Sequence, residues 1–258
     1  MLHIHEIPSL YLGVTRRVTV WLPPGSRRRV TAGLPVLYLN DGQNLFEPDR
    51  AFAGGTWRVA ETAEWLVRRR RIPPLVIVGI DHGRERRGRE YLPVADERNP
   101  GTERPLGREF AEFVTREVLP LIAREYRTAR GASATAFGGS SYGAVAALNT
   151  VFVKPGVFGR LLLESPSLYV GGEYLLRKAR RFTRWPSRIY LGVGTAETSR
   201  AEWNHETVVN VVKLEATLRR AGFGPKRLAV AIEPGATHSE GAWAGRFARA
   251  LEFLYGRG

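Results

Sequence analysis

Among the residues of this chain that could do covalent chemistry, one serine and one histidine stand out by position. Ser141 lies in Gly139-Ser140-Ser141-Tyr142-Gly143, a G-x-S-x-G pattern. Alone the pattern is weak, since chance yields it in on the order of a tenth of chains with this glycine and serine content. Its setting adds the specificity. An apolar run at residues 134–137 precedes it and a helical run at 145–153 follows it. Strand, sharp turn and helix are what a nucleophilic serine needs, because the turn lifts the hydroxyl above the sheet at a helix N-terminus. Small neighbours such as Gly139 and Gly143 leave room for so tight a turn. The competing reading, a nucleotide-binding turn, fails because residues 138–143 match neither G-x-G-x-x-G nor a P-loop with its lysine.

A serine hydroxyl needs a base, and imidazole is the usual one. The histidines are His3, His5, His82, His205 and His238. His238 lies in a loop after the last apolar run and before the final helical pattern, where the chain order serine–acid–histidine puts the base. The acid then falls between 141 and 238. Every aspartate (Asp41, Asp49, Asp81, Asp96) precedes the serine, so the acid must be a glutamate. Glu197 is the best placed, because it follows the run 189–193 through Gly194-Thr195-Ala196. Glu164, at the end of another run, is the competitor. The negative oxygen of a tetrahedral intermediate also needs fixed donors. One is the backbone N–H of Tyr142, the residue after the serine, and the other is the N–H of Gln43, after the run 36–40. Gly42 permits the close turn there, and Asp41 braces it.

These positions need a scaffold, and the pattern supplies one. Short apolar runs at 18–22, 36–40, 75–80, 134–137, 161–163, 189–193 and 228–232 read as strands, with a further N-terminal strand carrying His3 and His5. Helical periodicity occupies 57–70, 110–126 (interrupted at Pro120), 145–153, 208–218 and 243–254. Such alternation predicts one α/β domain over residues 1–258, with a mainly parallel sheet and helices on both faces. Residues 81–107 show no period and are rich in Arg, Gly, Pro and Glu. A loop that long, starting at a strand end, is where ligands of open α/β sheets bind.

Composition narrows the chemistry. No cysteine is present, which excludes disulfides, thiolate metal sites and a cysteine nucleophile. No run approaches the roughly 18 apolar residues of a membrane span, so a cytoplasmic protein is the expectation. The net charge of +14 suggests an acidic partner such as nucleic acid. Against this, the basic residues are scattered, all but four are arginine (the lysines are 154, 178, 213 and 226), and no nucleic-acid motif surrounds them. Arg27 to Arg29 fall in a loop after Pro23-Pro24-Gly25. No nucleic-acid or membrane partner is expected, and a homo-oligomer is compatible with the sequence.

Taken together, the blocks Leu37 to Phe46, Val78 to Asp81 with Arg87 to Pro93, Glu117 to Ile122 with Tyr126-Arg127-Thr128, Gly138 to Gly143, Gly192 to Glu197, and Gly235 to His238 with Trp243 resemble, in order and over nearly the whole chain, the putative esterase family of α/β-hydrolases. That family includes enterochelin esterases, feruloyl esterases, S-formylglutathione hydrolases and mycolyltransferases. The resemblance implies an α/β-hydrolase fold, a triad of Ser141, Glu197 and His238, an oxyanion hole from the Gln43 and Tyr142 amides, and no metal or organic cofactor. It implies a small ester substrate of short-chain, aryl or siderophore type, with Asp41, Arg87, Tyr91 and Trp243 as candidate contacts. Arg84, Arg86, Arg87 and Arg89 would favour anionic or catecholate-bearing esters. Two positions depart from the family: Ala144 replaces a glycine common after the elbow, and Glu197 stands where many relatives carry aspartate. Acyl transfer to an acceptor other than water is the rival within the fold. A catalytically idle module binding an acidic partner is the rival outside it.

Overall fold

The apolar runs become strands because they are covered on both faces. The computed structural model describes residues 1–25, 33–126 and 128–256; Arg27 to Arg29 and Arg127 lie outside them. Eight strands form one sheet: β1 (Leu2–Pro8), β2 (Thr15–Trp21), β3 (Val36–Asn40), β4 (Val76–Ile80), β5 (Thr135–Ser140), β6 (Arg160–Glu164), β7 (Arg188–Gly194) and β8 (Leu228–Glu233). Their order across the sheet is β1-β2-β4-β3-β5-β6-β7-β8. Strands β3 to β8 pair in parallel, and β2 runs antiparallel to both its neighbours. The helices are α1 (Val59–Arg68), α2 (Arg87–Tyr91), α3 (Gly107–Phe113), α4 (Leu119–Tyr126), α5 (Tyr142–Val153), α6 (Val170–Ala179), α7 (Ala201–Arg220) and α8 (Glu240–Tyr255).

Successive side chains of a strand point to opposite faces, and each face has its own core. Val36 and Tyr38 of β3 join Phe110, Val145 and Leu214 from α3, α5 and α7. Leu37 and Leu39 join Leu66 of α1 and Phe247 and Leu251 of α8. Every residue of β3 and β4 is buried, as parallel strands between helical layers must be. Helix α5 is buried from Tyr142 through Phe152, so it is apolar all round rather than amphipathic.

The structure departs from the sequence reading in three places. Residues 81–107 are not a featureless loop: they hold a short 3-10 turn, Arg84–Arg86, followed directly by α2. No period marks these pieces, because each is barely a turn or two long. Helix α6 shows no clear period either, since Gly171, Gly172 and Glu173 adopt left-handed backbone angles inside it. The pattern broken at Pro120 continues as α3, a π turn over Val114–Val118, and α4. Proline has no N–H for the α-helical ladder, and the wider turn absorbs the mismatch.

Strand β5 is squeezed between its neighbours β3 and β6 at Gly138. A Cβ on Gly138 would sit 2.6 Å from the Leu162 carbonyl oxygen and 3.2 Å from Leu39 Cδ2. The carbonyl belongs to the paired strand β6 and cannot yield. Gly138→Ala is therefore expected to destabilise the fold by about 1–3 kcal/mol, read as a lower urea midpoint at unchanged slope.

Candidate active site

Ser141 sits between β5 and α5 with φ 57° and ψ −128°. A non-glycine residue holds such angles only when its surroundings impose them. The Ser141 N–H donates to the Glu164 carbonyl at the end of β6, at 2.9 Å. Gly139 and Gly143 pack against each other across the turn, where a Cβ on Gly139 would meet the Gly143 carbonyl carbon at 2.9 Å. Tyr142 then opens α5, so its amide has no carbonyl partner within the helix.

The loop after β3 is tied to this turn. The Asn40 side-chain amide donates to the Gly143 carbonyl at 2.7 Å. Asp41 is left-handed, and a short 3-10 turn, Gly42–Asn44, follows it. Gly42 is required here, because a Cβ would lie 2.7 Å from both Asp81 Oδ1 and the Gly79 carbonyl carbon. Gln43 lies in this turn and its side-chain oxygen accepts from the His82 N–H at 3.1 Å. Of the two expected oxyanion donors, Tyr142 lines the cavity described below and Gln43 does not.

The four residues expected as substrate contacts are each held by other groups of the protein. Arg87 forms a two-pronged pair with Asp41, Nε to Oδ1 at 2.7 Å and Nη2 to Oδ2 at 2.9 Å. Tyr91 is fully buried, and its hydroxyl oxygen accepts from the Asp41 N–H at 3.1 Å. Asp41, Arg87 and Tyr91 thus brace one another. Arg84, Arg86 and Arg89 also stay out of the cavity. Trp243 is buried too. Its indole N–H donates to Ser165 Oγ at 2.9 Å, and its ring stands edge-on to the His238 ring at 5.0 Å between centroids. It walls the imidazole.

His238 Nδ1 lies 2.5 Å from Glu197 Oε2. An ionised carboxylate only accepts, so Nδ1 carries a proton, and in the neutral ring Nε2 is the acceptor. The other oxygen of Glu197 accepts from the Gly194 N–H at 2.6 Å and from the Ser165 hydroxyl at 2.7 Å. Burial pulls the Glu197 carboxyl upward, yet the hydrogen bonds and charge of His238, with the Ser165 and Gly194 donors, outweigh it and leave its pKa below the ordinary value. Glu164 is not on His238. It is buried against Arg246, which donates to it at 2.9 Å from Nε and to Glu233 at 2.7 Å from Nη1. Burial, opposed by Arg246, pushes the Glu164 carboxyl up to about 7.

Ser141 and His238 line one cavity of about 270 Å³. Its lining also includes residues the sequence did not mark: Asp96, Arg98, Tyr169 and Trp203. Asp96 is buried and accepts from the Tyr142 hydroxyl and, at 3.1 Å, from that of Tyr169. The Arg98 guanidinium lies 4.2 Å from the Tyr169 ring centroid and 5.3 Å from that of Trp203, and it pairs with Glu206 through two bonds of 2.8 and 2.9 Å. Asp96 and Arg98 belong to the unpatterned segment 81–107, the one signal that pointed toward them. Among the described residues no three His, Asp or Glu side chains converge as a metal site would need. Nor is any helix among them long and apolar enough to cross a membrane.

A mainly parallel eight-stranded sheet, wrapped by helices and carrying a serine elbow at the C-terminal end of β5, defines the α/β-hydrolase fold. A family model described as "Putative esterase" matches residues 9–254, and the chain belongs to that family of ester hydrolases. It is 26% identical over 246 residues to the uncharacterized protein YbbA of Bacillus subtilis, covering 94% of this chain and 93% of that one. It is 30% identical over 190 residues to the ferri-bacillibactin esterase BesA of the same organism, covering 64% of this chain and 61% of that one. In structure it resembles the BES protein from Bacillus cereus, with a TM-score of 0.75 and 18% identity over 98% of this chain and 96% of that one.

His82, whose backbone N–H holds the Gln43 side chain, carries a neutral imidazole. The Arg84 N–H donates to His82 Nδ1 at 2.8 Å, so that nitrogen must be unprotonated. Burial, countered in part by Asp41, lowers the His82 pKa to about 4. Unfolded, the ring takes up its proton near pH 6.5. The unfolded chain therefore binds more protons between these values, and the His82 contribution is lost as pH falls from about 6.5 to about 4. His82→Gln should flatten the fall of Tm across that window; a slope identical to that of the native chain would refute the assignment.

Proposed function

We propose that this chain is a serine carboxylic-ester hydrolase working through an acyl-enzyme. The observation that carries the reading is one cavity lined by both Ser141 and His238, with His238 held on Glu197. His238 Nε2 takes the Ser141 proton as Oγ attacks the ester carbonyl. The resulting oxyanion is met by the Tyr142 amide and by the Gln43 amide from the loop that Asn40 ties to the elbow. Glu197 keeps the imidazole in the correct tautomer and balances its positive charge. The protonated His238 then gives its proton to the departing alcohol. Water, deprotonated by the same imidazole, releases the acid and restores Ser141.

A cavity of about 270 Å³ suits a short or planar acyl group rather than a long chain. Its aromatic wall, with Arg98 between Tyr169 and Trp203, favours aryl acyl groups bearing polar substituents. The kinship with a relative named as a ferri-bacillibactin esterase leans the same way.

Hydrolysis of p-nitrophenyl esters from acetate to decanoate tests the reading. Short chains should be turned over faster than long ones. Ser141→Ala should abolish turnover while keeping the fold, and His238→Ala should cost nearly as much, because members of such a unit are not additive. Glu197→Gln should cost less. A native protein that neither hydrolyses these esters nor is labelled at Ser141 by a fluorophosphonate is not a serine esterase.

A further inference from the structure

Glutamate is an awkward acid for this site. Its terminal torsion is broad and roughly two-fold, and it has one more rotatable bond than aspartate. Left free, the carboxylate would present either oxygen to His238 at many angles. Here it is pinned. Oε1 receives the Gly194 N–H at 2.6 Å and the Ser165 hydroxyl at 2.7 Å, and Oε2 alone is left for His238.

The direction of the Ser165 hydroxyl follows from its other neighbour. An indole N–H can only donate, and that of Trp243 reaches Ser165 Oγ at 2.9 Å. The serine oxygen accepts there, so its own proton is directed to Glu197. Ser165 is held for this purpose at a cost: its φ is 43°, in the left-handed region that a side chain rarely adopts, and its N–H donates to the Gly192 carbonyl at 2.7 Å. The order Trp243 to Ser165 to Glu197 to His238 closes on itself, because the Trp243 ring also stands edge-on to the imidazole.

We propose that Ser165, its hydroxyl aimed by Trp243, is a positioning residue that holds Glu197 in the one orientation keeping Oε2 on His238. The proposal rests on the serine-hydrolase reading above. Because Ser165 also borders the cavity, a rival role in binding substrate must be separated from it. A binding role would raise KM. A positioning role lowers kcat at constant KM and weakens the hydrogen bond between His238 and Glu197.

The test compares Ser165→Ala, Trp243→Phe and the double variant with the native enzyme. The readouts are steady-state hydrolysis of p-nitrophenyl acetate and the low-field proton resonance of the His238 Nδ1–H. Ser165→Ala should lower kcat by roughly tenfold, a part of the ~10²–10⁴ that a placed general base contributes, with KM within about twofold. Its resonance should move upfield. Trp243→Phe keeps the ring but not the N–H and should cost about threefold, with a smaller move in the same sense. The double variant should be no slower than Ser165→Ala, since the indole acts through that hydroxyl. Native-like kcat and resonance in Ser165→Ala, a raised KM at constant kcat, or losses that multiply in the double variant each overturn the proposal. If Ser165→Ala does not fold, an unmoved resonance in Trp243→Phe overturns it and an upfield move supports it. A native enzyme inert to esters and to fluorophosphonate overturns the parent reading and this one together, whereas an active native enzyme with silent variants overturns this one alone.

Discussion

The contact between β5 and α5 is the constraint on which the rest of the molecule turns. The chain passes from the central strand into a buried helix within a single residue. To do so it gives up side chains at Gly139 and Gly143 and holds Ser141 at strained angles. Flanking strands meet that contact on both sides: the Glu164 carbonyl of β6 takes the Ser141 N–H, and Asn40 of β3 takes hold of Gly143. Strain at this turn is tolerable only because a fully buried helix and a parallel sheet over-determine it.

Around this contact, charge is used mainly for fixing position. Asp41 is clasped by Arg87, Glu164 and Glu233 share Arg246, and Arg16 pairs with the buried Glu90. Glu233 is exposed, but Arg16, Glu90, Glu164 and Arg246 are buried, so removing one partner of the Arg16–Glu90 or Arg246–Glu164 pair would strand the other at a cost of several kcal/mol. Much of the arginine near the site is thus spent inside the protein rather than offered to a ligand. Arg98 differs in that it borders the cavity, although Glu206 and two aromatic rings already hold it. The formal charge of +14 therefore says little about what enters this site.

The sheet was legible because burial on both faces writes itself as uninterrupted apolar runs. The interval read at 36–40 coincides with β3, and the others differ from the strands by up to three residues at an end. Amphipathic helices were legible for the same reason. What escaped were pieces too short or too irregular to carry a period: α2, the 3-10 turn before it, and α6 with its left-handed start. At the site, Ser141 and His238 were readable from chain order, because strand, turn and helix must come in sequence. The burial of Tyr91 and Trp243 was not readable, because motif position carries no information about burial.

By itself the sequence determined the order of strands and helices, the absence of cysteine chemistry, and the placing of a glutamate rather than an aspartate after the serine. Those are properties of residue type and local spacing. Only the tertiary structure decided which glutamate meets His238, that Arg87 is spent on Asp41, and that Asp96, Arg98, Tyr169 and Trp203 wall the cavity. The reason is distance along the chain. Glu164 ends β6 and Glu197 follows the adjacent parallel strand β7, and the two look alike in sequence, but the register of β6 on β7 lays Glu164 flat against Gly192, where it meets Arg246, and leaves Glu197 beyond the end of β7 to face the loop after β8.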